Sequence, residues 1–445
     1  MQKKIIIIGA GMAGCFLGIV LAKRGFLVDI YESRADVRKE PYDSGRSFNL
    51  TLYYRGIKAM KKMGIWEEVK KITTIAEGNA AHYGVDNVVY SSFDTRQEEI
   101  LYTVHRNHMN GALLTVAEKE KNIFLHFKTK CIDINPEHKR VALQKEGSNA
   151  VHHETADLIF GADGLHSQVR EKIMETQKTK AEKDVEDWGY KEVHVSSTLA
   201  KQMDLRLFAT HTWPRTNSLL IAFPNPDASF TLMFNLPLEG SDSFAELTTT
   251  EAIESYILKH FPELEPLLSE IVHSFLNRPT GTFTTLKTEK WHDDASLCLI
   301  GDAAHAVIPF YGQGMVSAFD DALILDHLIS MYKDNWEKIL PAYQDRRKPN
   351  TDVLAKLSKD NFIELRDKSR SPFYILKDKT DTLLHRLFPA VWHPPLYVLV
   401  AHGDMEYKDA VNVFEDQQRF AKKVGLDFML HTAALPWKLV NKFKK

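Results

Sequence analysis

Cysteine is scarce in this chain. Three residues in 445 (Cys15, Cys131 and Cys298), far apart, exclude a disulfide framework and a zinc cluster, so reduced thiols in a cytosolic protein are expected. Net charge is also nearly absent: 57 Lys and Arg stand against 59 Asp and Glu, a formal −2. No broad field therefore recruits nucleic acid or acidic lipid, and neither is expected as a partner. Low-complexity tracts and internal repeats are missing, and no His, Cys or carboxylate spacing suggests a metal site. What remains, 44% hydrophobic and 26% charged, is an ordinary globular chain. At about 150 residues per domain, two or three domains are expected.

The longest uncharged run is Ile5 to Ala22, between Lys3-Lys4 and Lys23-Arg24. Its length approaches that of a membrane span, and the lysine pair imitates a signal peptide, but no small-x-small cleavage site follows. Four glycines interrupt it. Ile5–Ile8 reads as a buried strand, Gly9-Ala10-Gly11-Met12-Ala13-Gly14 as a tight turn, and 12–24 as a helix ended by Gly25. A second strand, 26–31, ends at Glu32, 18 residues after Gly14. This is a GxGxxG dinucleotide fingerprint in context. Gly9 permits the turn, Gly11 admits a pyrophosphate, Gly14 allows helix–strand packing, and Glu32 can accept from ribose hydroxyls.

Downstream, 56–69 and 110–119 read as helices, and 123–128, 140–145 and 157–160 as strands. From about 186 to 285 the texture is strand-rich, with a turn signal at Pro224-Asn225-Pro226-Asp227. Beyond about 315 the chain is mostly helical. The expected fold class is α/β: a Rossmann-like domain (1–75, 100–180, 286–335) interrupted by a β-sheet substrate domain (76–99, 181–285), with a helical region from 336 to 445. No transmembrane anchor is expected. The basic, aromatic tip at 436–445 suits a solvated helix end, with weak peripheral membrane contact as the alternative. Oligomeric state is left open.

Two further turns follow strands. Gly161-Ala162-Asp163-Gly164 follows one, and Gly301-Asp302-Ala303-Ala304-His305 the other, continuing as Pro309-Phe310-Tyr311-Gly312-Gln313-Gly314-Met315. With the N-terminal fingerprint, these resemble the group A FAD-dependent aromatic hydroxylases. The resemblance implies FAD as cofactor and NADPH as co-substrate. It places Asp302 on the ribityl chain and Asp163 where FAD and NADPH are managed. Pro309, Phe310, Gly312 and Gln313 become the catalytic wall beside the isoalloxazine, with Gly314 and Met315 opening a helix toward its pyrimidine edge.

A closer resemblance is to kynurenine 3-monooxygenases. It rests on Gly45-Arg46-Ser47-Phe48-Asn49-Leu50, Val104-His105-Arg106, Ala222-Phe223-Pro224-Asn225, Asn361-Phe362-Ile363-Glu364-Leu365-Arg366 and Pro395-Leu396-Tyr397. It runs from about residue 4 to 415. It implies flavin-side roles for Arg46 and Arg106, and substrate roles for Asn361 and Tyr397. In that family an Arg and a Tyr also grip the substrate carboxylate, and here those positions read Asn79 and Phe93. Either Arg96 or His82 replaces the lost charge, or the substrate lacks the carboxylate; the second reading is favoured. Phe230, Phe310 and Tyr311 are candidates for an apolar wall around the ring, and His305 reads as a structural hydrogen-bonder rather than a base.

The implied reaction is NADPH-driven hydroxylation of a small kynurenine-like or related aminoaryl ring by O₂, through a flavin C4a-hydroperoxide. The alternatives are the same chemistry on a polyketide antibiotic, or a non-catalytic flavin redox sensor.

Overall fold

The computed structural model describes residues 2–39, 49–85, 87–92, 100–293, 296–368, 371–426 and 429–430. Four consecutive isoleucines, buried on both faces, make Lys4–Ile8 a central parallel strand. It pairs with Leu27–Tyr31 on one side and Leu158–Gly161 on the other, in register Ile5 to Val28 and Ile5 to Leu158. Leu297–Leu299 adds in parallel beyond Leu158–Gly161, and Ile123–His126 beyond Leu27–Tyr31, with His292–Asp293 at the far edge.

Three neighbouring parallel strands thus end, side by side, in the three glycine turns that lie far apart in sequence. The uncharged run is the strand, turn and helix Met12–Lys23, and among the described residues no helix is long and apolar enough to cross a membrane. The helix expected over 56–69 is two, Tyr54–Lys62 and Trp66–Lys70, because Gly64 turns left-handed at φ 70° between them.

A second, seven-stranded sheet runs in the order Gly281–Thr288, Ala181–Val195, Phe230–Pro237, Ser218–Pro224, Ala209–Arg215, Gly78–Gly84, Asn87–Ser92. The strand-rich stretch also contains helices Thr250–His260 and Leu268–Asn277, which the sequence reading passed over. They cover one face of this sheet, packing Ile253, Ile257, Ile271 and Phe275 against Val193, Leu232 and Phe234. The other face looks into a cavity.

The 28-residue helix Trp336–Ile363 begins in the core of the first sheet, through Trp336, Ile339 and Tyr343, and brings Phe362 to the second. A π turn, Glu364–Lys368, and helices Pro372–Leu387, Leu396–His402 and Tyr407–Lys423 follow. The basic tip lies outside the described residues.

The fingerprint glycines differ in what they tolerate. A Cβ on Gly14 would lie 2.0 Å from the Gly9 carbonyl oxygen, whereas one on Gly11 meets nothing within 4 Å. Gly14→Ala should therefore destabilise the apoprotein by about 1–3 kcal/mol. Gly11→Ala should leave its urea midpoint unchanged; equal midpoints for the two variants would contradict this packing.

Candidate active site

One cavity of about 1890 Å³ runs from the glycine turns to the second sheet and the C-terminal helices. A single small ligand commonly fills about 300–1,000 Å³, so this volume suits a dinucleotide together with a substrate. Two helices point their N-termini into it. Met12–Lys23 and Gly314–Tyr332 each start without a side-chain cap and without an acidic residue in the first turn. Both leave backbone N–H groups and a positive dipole end for an anionic ligand. Gly11 and Met12 line the cavity at one helix, Gly314 and Met315 at the other.

At the far end of this groove stands Glu32, 7% exposed. Its Oε2 accepts from the Ala10 N–H at 3.1 Å, and its Oε1 from the Arg34 N–H and Nε, both at 2.9 Å. Burial alone pushes this carboxyl up, but the Arg34 bonds and charge outweigh it, and it stays below the usual range. It therefore remains an anionic acceptor, as ribose hydroxyls require.

Asp163 lines the groove beside the second turn, and its Oδ2 accepts from the Gln168 N–H at 2.8 Å. Its Oδ1 is buried with no hydrogen-bond partner among the described residues, and burial raises its carboxyl. Asp302 opens the short helix Asp302–His305, exposed to the same cavity. Arg106, first residue of helix Arg106–Lys119, lines it as well. Arg170 ties the second and third turns together, donating to the carbonyls of Leu165 at 2.8 Å and Ala303 at 3.1 Å. An orphaned acceptor, two uncapped helix starts and the open space at Gly11 fit a flavin dinucleotide.

Of the expected catalytic wall, Pro309, Phe310 and Gly312 line the cavity, as does Tyr311, expected at the apolar wall of the ring. Gly312 is left-handed at φ 66°, with Thr51 Oγ1 2.4 Å from where a Cβ would stand. Gln313 departs from expectation: it is 1% exposed, lies off the cavity wall, and neither amide atom has a partner among the described residues. Asn361 donates to the Phe310 carbonyl at 2.6 Å, fixing this loop to the long helix. Tyr397 shares a short hydrogen bond with the Tyr53 hydroxyl, and burial raises its phenol. Both tyrosines line the cavity.

Strand alternation sorts the second sheet. Asn79, Ala81 and Tyr83 face the cavity; Ala80 and His82 do not. Met233 faces it, whereas Phe230, expected at the ring, is fully buried on the helix-covered side, edge-on to His211. The Phe230 expectation fails because positions 230, 232 and 234 share the rear face.

Asn79 is already engaged: its Nδ2 donates to Thr212 Oγ1 at 3.1 Å, and its Oδ1 accepts from Thr210 Oγ1 at 3.0 Å. These threonines were missed, although the alternation Thr210-His211-Thr212 points to them. His82 cannot supply a cation here. It stacks on Trp213 behind the sheet, and its Nε2 lies 2.9 Å from His211 Nδ1. His211 Nε2 donates to the Arg206 carbonyl at 3.1 Å, so its Nδ1 accepts and His82 donates. Burial, then the neighbouring His211 and Arg215, pushes His82 down to about 4. Arg46, Phe93 and Arg96 lie outside the described residues.

The FAD binding domain family model matches residues 2–358. The kynurenine 3-monooxygenase of Legionella pneumophila (strain Corby) is 37% identical over 423 residues, 95% of this chain and 93% of that protein. That of Salinispora arenicola (strain CNS-205) is 36% identical over 430 residues, covering 96% and 94%. Among solved structures, the tetrameric form of 2-methyl-3-hydroxypyridine-5-carboxylic acid oxygenase aligns with a TM-score of 0.68 at 22% identity, over 83% of this chain and 94% of that one. A tetracycline destructase aligns at 0.62 and 18% identity, covering 83% and 90%. These two likenesses show the fold. Sequence, fold and groove agree that the chain is an FAD-dependent aromatic monooxygenase and belongs to the kynurenine 3-monooxygenase-like members of the group A flavin hydroxylases.

Proposed function

We propose that the protein is an NADPH-consuming hydroxylase of an aminoaryl compound related to kynurenine but lacking its side-chain carboxylate. The observation that carries this reading is Asn79, uncharged and held by two threonine hydroxyls on the sheet wall of the ring pocket. Among the described residues, that wall contributes no Lys or Arg to the cavity; Ala81, Tyr83, Thr210 and Thr212 flank Asn79 instead. The cavity's Lys377 and Arg386 stand on helix Pro372–Leu387 instead, so a carboxylate buried against this wall and out of their reach costs on the order of several kcal/mol. A neutral hydrogen-bonding substituent faces no such penalty.

FAD held in this groove would supply the oxygen-activating chemistry, with NADPH as the reductant. The protein's part is positioning and exclusion of water. Glu32, the turn at Gly11 and Asp302 would hold the cofactor, and the start of helix Gly314–Tyr332 favours negative charge on the reduced ring. Phe310, stacked on Phe362 at 4.5 Å between ring centres, and Tyr311 wall the reacting ring from solvent. Asn361 keeps that wall in place through the Phe310 carbonyl. His305 lies off the cavity, and an activated aminoaryl ring needs no strong base.

NADPH oxidation and mass-resolved products with kynurenine, kynuramine, anthranilate and tryptophan test the reading. Coupled hydroxylation is expected with kynuramine, which has kynurenine's ring without its carboxylate. Coupled turnover of kynurenine alone would overturn it. If the missing charge is what excludes kynurenine, Asn79→Arg should tighten kynurenine binding about tenfold or more, the range of a charge-assisted hydrogen bond. Unchanged affinity would mean that the pocket holds its substrate elsewhere.

A further inference from the structure

Asp321 lies in the middle of helix Gly314–Tyr332, 0% exposed, and does not line the cavity. Its Oδ2 accepts from the Gly301 N–H at 3.1 Å and from His305 Nε2 at 2.7 Å. Those two donors flank the short helix Asp302–His305, one just before it and one at its last residue. A single oxygen therefore clasps both ends of the element that presents Asp302 to the cavity.

Oδ1 accepts from Arg347 Nε at 2.7 Å, and Arg347 Nη2 goes on to the Ser317 carbonyl at 3.1 Å and its hydroxyl at 2.9 Å. Ser317 lies in the first turn of the helix that opens onto the cavity at Gly314. Gly301 is left-handed, and a Cβ there would lie 2.9 Å from Ala13 Cβ, so this turn packs directly on the fingerprint helix. Burial alone would raise the Asp321 carboxyl, but His305 and Arg347 hold it at about 2. It is a fixed anion throughout the neutral range.

We propose that Asp321 is a positioning residue for the isoalloxazine half of the cofactor, acting through Asp302: its carboxylate fixes the direction of Asp302 and locks that turn to the start of helix Gly314–Tyr332. The proposal rests on the reading that Asp302 holds the ribityl chain. It concerns one half of the dinucleotide groove, since Glu32 and Gly11 serve the other end independently.

The test is a double-mutant cycle on cofactor binding to the apoprotein, read by flavin fluorescence quenching for FAD, with ADP as a probe of the adenosine end alone. Asp321→Asn should weaken FAD about tenfold or more. ADP binding should stay within about two-fold, because the adenosine end is far from the altered bonds. In an Asp302→Ala background, the same substitution should change FAD affinity less than about two-fold, since coupled residues do not add.

Equal losses of FAD and ADP would reveal general loosening and overturn the proposal. So would an undiminished FAD loss in the Asp302→Ala background. Should Asp302→Ala by itself leave FAD affinity unchanged, the ribityl reading fails first and the proposal with it. His305→Gln removes one clasp without stranding a buried charge. It should shift FAD in the same direction by a smaller factor, which keeps the test open if Asp321→Asn does not fold; no shift with a folded His305→Gln would count against the proposal.

Discussion

Parallel pairing of three strands is the constraint on which the rest of the molecule depends. Lys4–Ile8, Leu158–Gly161 and Leu297–Leu299 lie side by side in one direction, so their C-terminal turns meet at one edge of the sheet. Nothing in the separate turns obliges them to meet; the register does. Buried isoleucines on both faces of the first strand favour a two-sided parallel sheet, and the glycines allow the backbone to bend sharply where the strands stop. The groove is a product of that alignment, and the seven-stranded sheet adds a second wall to it.

Much of the cofactor half was legible in the sequence because its requirements are local. Gly9 and Gly14 stand where a Cβ would strike backbone, and Glu32 directly follows the strand Leu27–Tyr31 at the groove. The ring pocket was harder. It depends on which face of a strand a residue occupies, and a shift of one position exchanges cavity for core. Asn79 fell on the cavity side and Phe230 on the core side, yet both are ordinary strand residues in the sequence. Asp321 was not legible at all. It is one acid among several in a helix, and only the folded chain brings Gly301, His305 and Arg347 to it.

Likeness in sequence and difference in the pocket are compatible. The groove, the three turns and the long C-terminal helix frame the cavity. On the reading proposed above, substrate choice is decided where a few side chains on the second sheet meet the cavity. Asn79, with both amide atoms satisfied by threonines, is a settled polar feature of that wall.

The helix Trp336–Ile363 carries a consequence of its own. At 1.5 Å per residue, its 28 residues, with Pro341 and Pro349 among them, extend over at most about 42 Å. One end is embedded among the buried aromatics of the nucleotide sheet, and the other holds Asn361 against the Phe310 carbonyl. The C-terminal part of the chamber is thus surveyed from the far side of the protein, like a boom fixed at its base. The second sheet, whose strands 78–84 and 209–215 carry Asn79 and its threonines, is the part of the chamber that can be rebuilt without moving the boom.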